Sequence, residues 1–206
     1  MAIKAKGTPL EFSWSAERGL TLLVLNLHPE RTGILQEGLQ AAGFERVIFV
    51  SSFSRLQHSI ALEQPHVIVV DLGRSDPVAV AHLCRMAREV HCPVVVFMDH
   101  AERQMMAQTI EAGVASLVVD GLQKERLGSI VATAILRFQA MEQLRRQRDE
   151  AVAALEERKV IERAKGWLMK NRGLSEEEAY HSMRKAAMHD NCRLVEIARL
   201  WSRTMT

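Results

Sequence analysis

The chain has 206 residues, of which 48% are hydrophobic and 25% are charged, and its formal net charge at pH 7 is +2. This composition excludes an intrinsically disordered chain and is sufficient for one ordinary domain and a second, smaller one. No run of eighteen apolar residues occurs and the first residues lack the apolar stretch of a secretory signal, so we expect a cytoplasmic protein without membrane association.

The charges and the cysteines are unevenly distributed. Residues 1–120 hold 10 basic and 13 acidic residues, whereas residues 121–206 hold 17 basic and 12 acidic ones, so the basic excess lies in the C-terminal part. Cys84, Cys92 and Cys192 have neither disulfide nor zinc spacing, which predicts buried thiols in a reducing compartment. The neighbouring histidines, His91, His181 and His189, do not complete a familiar zinc site, so we expect no metal and no other cofactor.

Strand-like and helix-like segments alternate along residues 19–122, after an expected N-terminal tail at residues 1–18. Five short runs rich in leucine or β-branched residues recur, at 21–27, 46–50, 66–72, 93–99 and 115–120. Runs this short and apolar are typical of buried parallel strands. Stretches with helical length and periodicity separate them, at 30–42, 54–63, 77–89 and 103–112. This alternation predicts an α/β domain with a doubly wound, five-stranded parallel sheet, whose ligand sites lie at the carboxyl ends of the strands.

A long helix is predicted to follow, with residues 123–154 as a linker. No proline occurs between Gln123 and Asn171. Apolar residues follow steps of three and four residues among charged ones, at Met141, Leu144, Ala151 and Leu155, with Arg148 interrupting the series. Such spacing predicts a coiled coil and a homodimer, although a solvated connector helix is the alternative.

Residues 155–206 are predicted to form a small all-α domain of three helices, at about 155–171, 176–188 and 194–203. Gly173 is placed to end the first helix. Ser175 is placed to cap the second, with Glu178 three residues on to complete a capping box. Five residues of the first helix fall on one apolar face: Val160, Ile161, Ala164, Trp167 and Leu168.

A specific order of residues runs through these helices. It reads Ala164-Lys-Gly-Trp-Leu-Met169, then Gly173-Leu-Ser-Glu-Glu-Glu-Ala-Tyr180, then Arg184 with Ala186 and Ala187. From Leu155 to Ala198 this order resembles the ANTAR domain. The resemblance implies a domain that binds paired RNA hairpins in nascent leader transcripts and prevents an intrinsic terminator from forming, so that downstream genes are expressed.

Basic residues cover the rest of the first of these helices. Basic side chains attract phosphates, and the small Gly166 would let a sugar-phosphate backbone come close. Tyr180 on the second helix is either a core residue or a stacking platform for an RNA base. The expected RNA-binding residues are Arg158, Lys159, Arg163, Lys165, Gly166, Lys170, Tyr180, Arg184 and Lys185. The alternative is that this basic face is only a solvated surface.

The strand-rich region, residues 20–122, resembles the receiver domain of two-component response regulators. The resemblance implies a phosphoacceptor aspartate at the end of the third strand, where Asp71 stands. Receivers follow their first strand with acidic residues that hold Mg²⁺, but the segment from Asn26 to Pro29 has no carboxylate. Met98 stands for the expected hydroxyl residue and Asp120 for the expected lysine. We therefore expect a pseudo-receiver with Asp71 as a vestigial phosphoacceptor, serving as a docking platform and dimer scaffold.

An atypical receiver followed by an ANTAR domain is similar to the nitrate-responsive assimilation regulators. That similarity implies control of nitrate or nitrite assimilation genes and restraint by a ligand-sensing partner protein. No nucleotide-binding glycine loop and no Ser-His-Asp motif occurs, so an enzyme is not expected.

Two other functions stay open. One is a phosphorylation-dependent response regulator that binds DNA through a helix-turn-helix, with Arg184, Lys185 or Arg193 near the major groove. The other is a scaffold that binds only proteins. The last predicted helix is largely apolar from Leu194 to Trp201, which favours the ANTAR interpretation over a recognition helix.

Overall fold

The computed structural model describes residues 19–74 and 76–204, and the predicted N-terminal tail lies outside them. Five strands form one parallel sheet: β1 (Thr21–Asn26), β2 (Arg46–Val50), β3 (Val67–Arg74), β4 (Val94–His100) and β5 (Ser116–Val119). Their order is β2-β1-β3-β4-β5. The helices between them are α1 (Thr32–Ala41), α2 (Phe53–Glu63), α3 (Pro77–Glu89) and α4 (Arg103–Glu111). The predicted doubly wound, five-stranded parallel sheet is confirmed.

Both faces of the sheet are covered by helices, which explains why its strands read as continuous apolar runs. On β1, Leu23 and Leu25 pack with residues of α2, α3 and α4. Leu22 and Val24 point to the other face, where they pack with α1 and with the first turns of the next helix, α5 (Leu127–Arg172). Alternate residues of one strand therefore belong to two separate core layers.

The carboxyl ends of the five strands meet at one edge of the sheet, because all of the strands are parallel. Asn26, Asp71 and Asp99 lie at or near the ends of β1, β3 and β4. β3 extends two residues beyond its predicted end, to Arg74, with a register shift against β4 at Gly73. This edge therefore carries the receiver-like site.

Three helices form the C-terminal part: α5, α6 (Glu176–His189) and α7 (Leu194–Thr204). The chain divides into two compact units after Ala140. The long helix and the three-helix region are confirmed, and a 3-10 turn at Lys124–Arg126 precedes α5. Gly173 follows α5 with a positive φ of 64°, a conformation that favours glycine.

The predicted capping box is also present at the start of α6. The Glu178 backbone N–H donates to Ser175 Oγ at 3.2 Å, and the Ser175 backbone N–H donates to Glu178 Oε2 at 2.8 Å. These bonds pair two backbone donors that the helix itself leaves unpaired. The start of α6 is therefore determined locally by the sequence.

Candidate nucleic-acid interface and receiver-like site

A small apolar core holds the C-terminal helices together. Its buried members are Ala164, Leu168, Ala179, Met183 and Ala198. All five residues of the predicted apolar face of α5 lie in this core or against it. The face of α5 that points away from this core is then available for a ligand.

Four residues follow one another along that outward face at steps of four, three and four: Lys159, Arg163, Gly166 and Lys170. All four are exposed, and we call them the basic stripe. A Cβ placed on Gly166 would meet nothing within 4 Å, so intramolecular packing does not require a glycine there. A bare helix surface between cations leaves room for a phosphate backbone to approach closely.

Lys165 is placed differently from the basic stripe. Only 8% of its surface is exposed. Its Nζ lies 2.7 Å from Glu176 Oε1 and 2.9 Å from Glu162 Oε1. Hydrogen bonds to Glu176 and then Glu162 raise the pKa of the Lys165 ammonium, and the bond to Lys165 lowers the pKa of Glu176. In this structure Lys165 joins α5 to the first turn of α6 through Glu176, whereas Glu162 lies on α5 itself.

The other predicted contacts lie on several faces. Arg158 is exposed but lies about 100° around α5 from Lys159, because it is one residue earlier. Tyr180 is 41% exposed and is not a member of the core. Tyr180 and Arg184 line a shallow hollow with Met188 and with residues of the connection from α6 to α7. Lys185 lines two other hollows with His181, one of which Arg184 also lines, and Tyr180 lines neither of them. The structure thus brings Tyr180 and Arg184 together and separates Lys185 from Tyr180.

Asp71 lies at the sheet edge and is completely buried. Its Oδ1 accepts hydrogen bonds from the Gly73 backbone N–H at 3.2 Å and from Arg31 Nη1 at 3.1 Å. No donor within residues 19–74 and 76–204 reaches its Oδ2. Burial raises the pKa of the Asp71 carboxyl above its ordinary value, and this outweighs the lowering by Arg31 and by Gly73. Asp71 therefore has no oxygen that is both accessible and unshared.

Arg31 was not predicted as a site residue, and it connects the two carboxylates of this edge. Its Nη2 donates to Asp99 Oδ1 at 2.6 Å while its Nη1 donates to Asp71. The side chain is 22% exposed and reaches the site from the turn before α1. A sequence signal existed, because two strand-end aspartates without a metal site need a positive charge, and Arg31 is the first cationic residue after β1.

His28 closes the site from the same turn. Its Nε2 lies 3.1 Å from the Leu72 carbonyl oxygen. A Cβ on Gly73 would lie 2.2 Å from that nitrogen, and Gly73 has a positive φ of 56°, so only glycine fits beneath His28. Asn26 is also engaged, since its Nδ2 donates to Thr32 Oγ1 at 2.8 Å and its Oδ1 accepts from the His28 backbone N–H at 2.9 Å.

These residues do not fit the Mg²⁺ ion that the receiver fold implies. The Arg31 guanidinium contacts both of the carboxylates that could bind a cation, and the Asn26 side chain is occupied by its own turn. The described part of the chain holds no group of three or more His, Cys, Asp or Glu residues placed to bind a metal. Within the same residues, no helix combines the length and apolar character needed to cross a bilayer.

The fold of the sheet domain is that of a receiver. It is similar to the signal receiver domain of a modulated diguanylate cyclase from Desulfovibrio desulfuricans, with a TM-score of 0.51 and 11% identity over 59% of this chain and 98% of that one. An orphan response regulator of H. pylori superposes with a TM-score of 0.50 and 14% identity over 58% of this chain and 98% of that one.

Residues 149–200 match the family model of the ANTAR domain. The chain therefore contains an ANTAR domain that follows a domain with the receiver fold. It is 23% identical to the transcriptional regulatory protein PdtaR of Mycobacterium tuberculosis over 83% of each chain. It is 49% identical to the nitrate regulatory protein of Klebsiella oxytoca over 67 residues, which are 32% of this chain and 17% of that protein.

Proposed function

We propose that this chain is an RNA-binding transcription antitermination regulator that stabilises antiterminator hairpins in nascent leader transcripts. The exposed basic stripe, with Gly166 open at its middle, is the observation that carries the proposal. It lies on the first helix of an ANTAR domain, and the relatives of the chain include a transcriptional regulatory protein and a nitrate regulatory protein.

The proposed contacts divide by chemistry. Lys159, Arg163 and Lys170 bind phosphates as a row of cations along one helix face, while the hollow beside Tyr180 and Arg184 accepts an unstacked loop base. RNA loops present bases that are free to stack on an aromatic ring or a guanidinium plane, whereas the bases of duplex DNA stay stacked inside the helix. Arg158, Lys165 and Lys185 complete the proposed set from adjacent surfaces.

The test compares binding of the full chain to a two-hairpin leader RNA, to the same RNA with one hairpin deleted, and to duplex DNA, each at two salt concentrations. We expect preference for the paired hairpins and a steep decrease in affinity with salt. Preference for duplex DNA would instead support the phosphorylation-dependent response regulator, and absence of binding to all three would support the protein scaffold.

Glu176→Gln tests whether the Lys165 ammonium contacts RNA. Glu176 is exposed and holds that ammonium, so its carboxylate competes with a phosphate for the same cation. We expect the substitution to tighten RNA binding by about fourfold at physiological salt, measured by filter binding or anisotropy. The matched control is Glu177→Gln, an adjacent exposed position with the same loss of charge. Weaker binding by Glu176→Gln alone would show that Lys165 only positions α6.

The exposed middle of α5 supports a proposed homodimer. Met141 and Leu144 are exposed, and Val152 and Leu155 repeat them eleven residues later. An eleven-residue repeat keeps apolar side chains on one face of a nearly straight helix, although Arg148 lies between the two pairs. A second copy would cover this face, and sedimentation of the full chain as a monomer at all micromolar concentrations would contradict the proposal.

The proposed biological setting is control of nitrate or nitrite assimilation genes in the cytoplasm, with a ligand-sensing partner protein that masks the regulator until its inducer binds. The similarity to a nitrate regulatory protein supports this setting. The proposed domain limits are 19–122, 123–154 and 155–206. If the partner is the sensor, nitrate added to the purified chain leaves its RNA affinity unchanged, and a direct nitrate effect would contradict that arrangement.

Asp71→Asn is expected to leave RNA binding and antitermination within about twofold of the unchanged protein. The Asp71 carboxyl is buried and one of its oxygens is shared by Arg31 and Gly73, so it is poorly placed to receive a phosphoryl group. A reporter for terminator readthrough measures the effect. Loss of readthrough by a folded Asp71→Asn variant with normal RNA affinity would instead support phosphorylation-dependent signalling through Asp71.

A further inference from the structure

We propose that Arg31 is a built-in counter-ion that takes the place of the divalent cation in the receiver-like site, and that removing it makes this edge of the sheet dependent on Mg²⁺. The inference concerns the sheet domain and does not rest on RNA binding. The residues at this edge of the sheet do not fit a resident metal ion.

The charges at this edge require a cation. Asp71 is completely buried near the end of β3, and Asp99 lies half-buried near the end of the neighbouring β4. Two carboxylates close enough to contact one guanidinium repel each other, and a buried carboxylate is costly unless it is paired. In an ordinary receiver the balancing charge comes from a hard cation with oxygen ligands. Here the guanidinium supplies it through two hydrogen bonds, of 3.1 and 2.6 Å.

The surroundings keep the guanidinium in place. Arg31 ends the 3-10 turn at Pro29–Arg31, directly before α1, and Asn26 ties the start of that turn to Thr32. His28, from the same turn, covers Gly73 and contacts the Leu72 carbonyl oxygen. The Arg31 guanidinium thus comes from a segment that is anchored at both ends. Holding it between the two carboxylates therefore costs little additional conformational entropy.

The geometry also separates this site from a surface ion pair. Arg31 joins residues 40 and 68 positions away in the chain, and thereby links the turn after β1 to the ends of β3 and β4. A fully exposed pair contributes little to stability, whereas loss of one partner of a buried pair leaves an uncompensated charge. Arg46 provides the comparison, because it pairs with Glu63 at 2.7 Å on the exposed surface of the same domain.

The test measures the melting temperature of the full chain with EDTA and with millimolar Mg²⁺. We expect Arg31→Met to melt about 10 °C lower than the unchanged protein in EDTA. Mg²⁺ should recover at least half of that loss, because Asp71 and Asp99 become free to bind it. The unchanged protein and the control Arg46→Met should not respond to Mg²⁺, and Mn²⁺ titration followed by electron paramagnetic resonance should detect a site only in Arg31→Met.

A second variant distinguishes the counter-ion role from simple packing. Arg31→Met combined with Asp71→Asn removes the buried charge together with its partner, so we expect it to be more stable than Arg31→Met alone and to lose the Mg²⁺ response. If Arg31→Met alone fails to fold, a double variant that does fold still supports the proposal, because it lacks the buried charge that Arg31 balances. Equal instability of both variants, or an equal Mg²⁺ response by the unchanged protein, overturns it.

Discussion

Replacement of Lys159, Arg163 and Lys170 by alanine in one triple variant is expected to lower the affinity of the full chain for two-hairpin RNA by about 50-fold at about 0.15 M salt. The reason is counter-ion release, because each cation that neutralises a phosphate releases a condensed ion. The slope of log affinity against log salt should fall by about two units. Filter binding over a salt series measures both quantities.

The control variant has the same charge change on the same helix. Arg145, Arg146 and Arg148 are exposed residues of α5 that precede the matched ANTAR region, and their replacement by alanine also removes three positive charges. We expect it to weaken RNA binding only a few-fold. Equal losses in the two triple variants would mean that overall charge, rather than the basic stripe, drives binding. Unchanged circular dichroism is expected for both, since none of the six side chains is buried.

Leu168→Ala is expected to destabilise the three C-terminal helices by about 3 kcal/mol. Leu168 is buried in a core of five residues, and three of the other four are alanines, which cannot extend into the space that the leucine leaves. The cavity should therefore stay open. Amide hydrogen exchange measured by mass spectrometry should become about 100-fold faster in protected positions of α6 and α7, with little change in the strands.

Met169→Ala is the matched control for that experiment. Met169 is the next residue of the same helix, but 40% of its surface is exposed. Truncating a half-exposed side chain removes less buried apolar surface and leaves no cavity, so we expect exchange in α6 and α7 to change by less than about threefold. Similar acceleration by both variants would mean that α5 as a whole, and not the core side of it, determines the stability of these helices.

The sheet and the helices could be predicted because their signals are local. A strand such as β3 is buried on both faces and must be apolar along its length, and Ser175 and Glu178 determine the start of α6 within four residues. The basic stripe was part of a broader predicted set, since helical periodicity gives the faces of α5 directly. Tyr180 could be placed on α6 but not assigned to the core or the surface, because that depends on how α6 rotates against α5.

Long-range pairing explains what the sequence did not reveal. Arg31 meets Asp71 and Asp99 only after β1, β3 and β4 have aligned, and no short motif marks that contact. Lys165 belongs to the ANTAR signature and was expected among exposed cations, yet it is largely covered by a contact with Glu176, eleven residues later on a different helix. In both cases the sequence shows the sign of a charge, whereas the residue that pairs with that charge is determined by the tertiary structure.

The salt bridge between Arg31 and the two aspartates has an evolutionary consequence. Conversion of this edge to a metal-dependent phosphoacceptor site would need an acidic residue after β1, a hydroxyl in place of Met98, a lysine in place of Asp120 and loss of Arg31. Loss of Arg31 alone leaves the buried Asp71 carboxylate without its counter-ion, and an added acid alone brings a further negative charge to the same edge. We therefore expect each of these two changes alone to lower the stability of the domain. If Arg31 is the counter-ion of this edge, a metal-dependent site can replace it without loss of stability only when the added acid and the loss of Arg31 occur together.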